Sequence, residues 1–214
     1  MGRGSSSAGG NGYMVPEKIL STEDMISNRM KNVSGTDQVL ATAKDIVDQY
    51  GNEYALNGNF QVAKLKGNSR TMAYYDQDGN IAINEKYFDS DKMDMAYDAC
   101  VESGFHPSRG DKTGLQATAA HEYGHALTDM AGKNIGKDLR GAADQIVNDA
   151  MKSMGASRTG RQALSQFRSK ISGYAKQNNA ETIAEAFSDV YCNGNGAKRE
   201  SRAVVDALNK YLKK

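Results

Sequence analysis

Two of the chain's three histidines, His121 and His125, stand four residues apart, with Glu122 beside the first. On a helix, residues i and i+4 share a face, so two imidazoles can aim at one ion. Glu122 lies about 100° around the same helix from His121, close enough to hold a water beside the ion without binding the ion itself. The pattern therefore predicts a helix over residues 113–131, with Gly132 as its stop. Leu115, Ala119, Ala120, Ala126 and Leu127 supply apolar contacts around the motif. Gly124, between the histidines, costs about 1 kcal/mol of helix propensity relative to Ala. A residue without a side chain there allows close packing of another element. The rival reading, two surface histidines on an ordinary helix, is less specific than the full His121-Glu122-Tyr123-Gly124-His125 sequence.

Two histidines do not complete a catalytic zinc site. Zinc takes imidazole nitrogens at about 2.0–2.1 Å and needs a third protein ligand, with the fourth position open to water. The remaining histidine, His106, falls in a Gly- and Pro-containing loop over 104–110, where it either faces a cleft or caps the loop. Downstream, Glu181, Glu185 and Asp189 fall at i, i+4 and i+8 on one helical face. Ile183, Ala184, Phe187 and Val190 form the apolar side next to it. Carboxylates beside a core stripe are expensive to bury unpaired, and a metal with its histidines would offset that cost. The alternative is a solvated acidic stripe.

The rest of the chain indicates an α+β domain. A short helix is predicted over 16–30, with Ser21 or Thr22 as N-cap, then a break at 33–36. Val39, Leu40, Ala43, Ile46, Val47 and Tyr50 recur at helical spacing over 37–50. Residues 60–65 alternate in part. Asp76-Gln77-Asp78-Gly79 between the β-prone runs 71–75 and 80–84 signals a hairpin, hence a small antiparallel sheet packed on a mostly helical domain. Strand 80–84, with Ile81 and Ile83, offers an edge to an extended peptide. Helices are predicted over 96–103, 138–154, 159–175, 180–191 and 197–212. The division is a Gly/Ser-rich tail over 1–15 and one domain over 16–214, with helices and sheet to about 110 and a helical half over 111–214.

A chain of 214 residues buries a real core without disulfides. Hydrophobic content of 39% and charged content of 25% are ordinary for a folded domain. A net charge of +1 gives no reason to propose a nucleic-acid or membrane partner, and a monomer is expected. Cys100 and Cys192 are far apart in sequence and read as reduced thiols. No signal peptide or apolar run long enough to span a membrane is visible, which leaves the location open between the cytoplasm, including a phage-associated setting, and export by a non-signal route.

His121-Glu122-Tyr123-Gly124-His125-Ala126-Leu127, followed by Tyr174 and by Glu181-Thr182-Ile183-Ala184-Glu185-Ala186-Phe187, resembles the gluzincin metallopeptidases. Within that class the chain resembles the group of the anthrax lethal factor catalytic domain, the bacterial Pro-Pro endopeptidases and phage or prophage metallopeptidase domains. The likeness runs from about Thr71 to Asn193, and Gly104-Phe105-His106-Pro107 also looks like the phage-borne members. It implies a zincin-like fold and a zinc-dependent endopeptidase acting on a peptide or protein. His121, His125 and Glu181 would be ligands and Glu122 the general base. Glu185 would orient a ligand imidazole. Tyr174 would donate to the oxyanion, unless it is a packed aromatic at a helix end. The alternatives are a catalytically silent zincin-like domain with a binding or assembly role in a phage or prophage protein, a toxin effector with a single target, and a four-ligand structural site in which His106 is the fourth ligand.

Overall fold

The computed structural model describes residues 18–21, 38, 41, 42, 44–46, 48, 49, 60–65, 70–76, 78–88, 90–156 and 160–212. The tail over 1–15 and the break at 33–36 lie outside them. Among the described residues, four short strands form one sheet: β1 (Lys18–Ser21), β2 (Phe60–Lys64), β3 (Ala73–Tyr75) and β4 (Ile81–Asn84), in the order β1-β2-β4-β3. The Asp-Gly signal holds. β3 and β4 pair antiparallel, with Ala73 opposite Ile83 and Tyr75 opposite Ile81. Asp76 ties the turn, its Oδ1 accepting from the N–H groups of Asp78 (2.9 Å) and Asn80 (2.8 Å), while Gly79 takes a φ of 85°.

Three expectations about this sheet need correction. It is mixed, not antiparallel, because β4 pairs parallel with β2. β4 also lies between β2 and β3, so neither of its edges is open to a peptide, and Ile81 and Ile83 are buried. The reason is legible in Ile81-Ala82-Ile83, an unbroken apolar run of the kind a strand needs when covered on both faces. Finally, Lys18–Ser21 is a strand antiparallel to β2, not part of a helix over 16–30. Pairing along β2 gives its backbone groups partners at once, and this overrides a local capping signal. The rest of that segment lies outside the described residues.

The chain falls into two compact units. The first comprises residues 1–100 and 113–123, the second 101–112 and 124–214. The first holds the sheet, α1 (Ser90–Glu102), the described helical residues of 38–49, and the start of α2 (Gly114–Asn134). Ile46 on the predicted helix over 37–50 is buried. Asp94 on α1 accepts the Gly114 N–H at 2.6 Å, and Thr113 Oγ1 donates to Gln38 at 2.9 Å.

The second unit holds the rest of α2 with α3 (Leu139–Ser153), α4 (Arg161–Ile171), α5 (Asn179–Asn193) and α6 (Arg199–Leu212). Two helix ends differ from expectation. α2 runs through Gly132 to Asn134, and the chain turns at Gly136. A Cβ on Gly132 would lie 2.7 Å from the Lys137 carbonyl oxygen, so that glycine serves the close return of the chain rather than the helix stop. The helix predicted over 159–175 ends at Ile171, followed by a tight turn at Tyr174–Lys176. Ser172 is extended there, and its hydroxyl accepts the Ala175 N–H at 3.0 Å. Cys100 and Cys192 are both free thiols. Among the described residues no helix is long and apolar enough to cross a membrane.

α6 packs against α3 and α5 through Val204, Val205, Ala207 and Leu208, with Leu208 fully enclosed. Leu208→Ala should therefore cost about 2–5 kcal/mol in urea unfolding. Lys210→Ala on the exposed side of the same helix should stay within about 0.5 kcal/mol of the parent.

Candidate metal centre

His121 and His125 lie one turn apart on α2, and Glu181 lies in the first turn of α5. All three are buried, at 3%, 0% and 2% exposure. One potential ligand atom from each lies within 4.8 Å of the other two. His125 Nε2 and Glu181 Oε2 are 3.4 Å apart. That is long for an N–H···O hydrogen bond, which spans about 2.7–3.2 Å. It is close to the edge of a tetrahedron with ligand bonds of ~2.0–2.1 Å, about 3.3 Å. Two imidazoles and one carboxylate, buried and converging at that spacing, could hold a metal ion.

The approach of α5 to α2 depends on Gly124. A Cβ at this position would lie 2.8 Å from Ala184 Cα and 3.2 Å from Phe187 Cβ. The first of these is backbone and cannot swing aside. Ala184 follows Glu181 by three residues, so this contact brings the start of α5 toward the histidines. Asn178 fixes where α5 begins, its side chain accepting the Glu181 N–H at 2.9 Å. The helix N-terminus also favours a carboxylate at that point. Thr182 Oγ1 donates to the Ala175 carbonyl at 2.9 Å and fastens the helix start to the preceding turn.

The neighbouring groups are buried as well. Glu122, beside His121 in the sequence, is fully enclosed. Burial pushes the Tyr123 phenol well above its ordinary pKa.

The three carboxylates of α5 do not form a solvated stripe. Each is buried and has its own partners. Glu181 faces His125. Glu185 accepts from Ser172 Oγ at 2.7 Å and meets His106 Nδ1 at 2.9 Å. Asp189 accepts from the Lys198 N–H at 3.0 Å and from Asn193 Nδ2 at 2.9 Å. The imidazole on Glu185 Oε1 is thus that of His106, a partner the motif does not suggest. Tyr174 is buried on its tight turn, with its ring 4.9 Å from that of Phe105. Ser172 is the site-building residue that sequence reasoning misses. Its one signal is a serine followed by glycine near the end of an otherwise helical run. Compared with known proteins, the chain matches no family model, no curated protein and no solved structure.

Glu181→Ala should remove most bound metal, read as the metal-to-protein ratio after dialysis. Unchanged stoichiometry would show that the ion is held elsewhere. Gly124→Ala gains helix propensity but must push α5 back, at about 1–3 kcal/mol of overpacking. The expected result is a lower unfolding midpoint together with weaker metal retention.

Proposed function

We propose that this chain is a zinc-dependent endopeptidase of the gluzincin type, with a zincin-like fold, acting as a monomer on a peptide or protein. The observation that carries this reading is the buried His121, His125 and Glu181 group, with Glu122 next to the first ligand on the same helix. Two imidazoles and a carboxylate suit zinc better than magnesium or calcium, which prefer oxygen donors throughout. A zinc ion held by these three residues would supply Lewis acidity, polarising a carbonyl and lowering the pKa of water toward ~7.

The chain's own residues would carry the proton and the orientation. Glu122 takes the proton of the attacking water and passes it to the leaving amine. The Tyr174 hydroxyl donates a hydrogen bond to the oxyanion that develops on the scissile carbonyl. A silent binding domain would have no need of Glu122 in addition to a full ligand set.

Metal analysis and cleavage of a peptide library test this together. Glu122→Gln should keep the metal and lose about 10²–10⁴-fold in kcat/KM, and a chelator should abolish wild-type cleavage. Full activity in Glu122→Gln, or cleavage indifferent to chelator, would overturn the mechanism.

A further inference from the structure

One turn beyond Glu181 on α5, Glu185 is the centre of a second buried polar cluster. Its two oxygens accept from separate segments, Oε2 from Ser172 and Oε1 from His106. An ionised carboxylate only accepts, so His106 Nδ1 carries the proton in this pair. The segments that supply these donors are also joined through their backbones. The Gly173 N–H donates to the Gly104 carbonyl at 2.8 Å and the Tyr174 N–H to the Phe105 carbonyl at 2.9 Å. The next amide, Ala175, donates to the Ser172 hydroxyl. Between them stands Tyr174. The His106 ring meets its ring nearly edge-on, with centroids 5.6 Å apart, and the Phe105 ring stands 4.9 Å away.

We infer that His106, held by Glu185 and Ser172, is a positioning residue for Tyr174, fixing both the turn that carries it and the tilt of its ring. The geometry leaves few other roles for the cluster. Three side chains from three segments are buried to make two hydrogen bonds to one carboxylate, and the cost of burying that charge is met only while all three stay together. The turn is tied at three consecutive amides, Gly173 to Ala175, to the same assembly. The kinetic consequence rests on the peptidase reading above; the structural one does not.

Two readouts test it on the full chain. The first is hydrogen exchange at Gly173, Tyr174 and Ala175. His106→Phe keeps a flat ring but removes the donor to Glu185. It should speed exchange at these three amides by about tenfold or more, with α2 amides and metal stoichiometry unchanged. His106→Asn restores an N–H near the Nδ1 position and should recover most of the protection. Ser172→Ala serves as a second probe if His106→Phe does not fold, and should loosen the Tyr174 amide in the same way. The second readout is kinetic. Misplacing Tyr174 should lower kcat by about 10–100-fold with little change in KM, and the effect should vanish in a Tyr174→Phe background. Unchanged exchange in His106→Phe and Ser172→Ala would overturn the proposal, as would a His106 effect that persists undiminished without the Tyr174 hydroxyl. If the wild type cleaves no peptide, the peptidase reading fails and the exchange result alone decides whether His106 holds the turn.

Discussion

The close approach of α5 to α2 at Gly124 is the contact on which the candidate centre depends. A helix can bring two histidines to one face by itself, but a third ligand must come from elsewhere, and it must come near. With a Cβ at 124 the nearest atom would be backbone, 2.8 Å away, so a larger residue would hold α5 off by its own bulk. The glycine weakens α2 as a helix by about 1 kcal/mol. In return it permits a burial that no side chain on α2 could provide.

That burial explains why α5 carries three carboxylates on one face with none exposed. A buried charge is tolerated only where donors or cations meet it. Glu181 faces an imidazole, Glu185 has a hydroxyl and an imidazole, and Asp189 has a backbone amide and a side-chain amide. Asp189 thereby ties the end of α5 to the Lys198 N–H just ahead of α6. Turn by turn, the helix spends one carboxylate on the candidate metal centre, one on the loop carrying His106, and one on the next helix.

Much of this is legible in the sequence, for reasons of spacing. The i, i+4 histidines, the acidic i, i+4, i+8 face and the Asp-Gly turn are local patterns, and local geometry makes each of them specific. Gly124 could be read as a packing position because a glycine between two functional residues on a helix has no other evident purpose. What escaped reading was non-local. The parallel pairing of β2 with β4 joins strands with a third between them in sequence, and no alternation within either strand encodes it. The strand at Lys18–Ser21 is set by its neighbour β2 rather than by its own residues. The link from His106 to Glu185 spans 79 residues, and a histidine in a Gly/Pro loop gives no hint of which carboxylate it will meet.

The fate of His106 also bears on what kind of metal site this is. A structural zinc closes its shell with four protein ligands, whereas a catalytic one leaves a position for water or substrate. Sequence alone leaves His106 as the candidate for that fourth place. In the fold its Nδ1 meets Glu185, and among the described residues the converging group consists of His121, His125 and Glu181, without it. A three-donor site with the Glu122 carboxyl group enclosed on the helix that carries both histidines has no structural need for that additional acidic group. Its presence makes sense where a proton has to be taken up and handed on, and this is why the proposed reading is an enzyme rather than a metal staple.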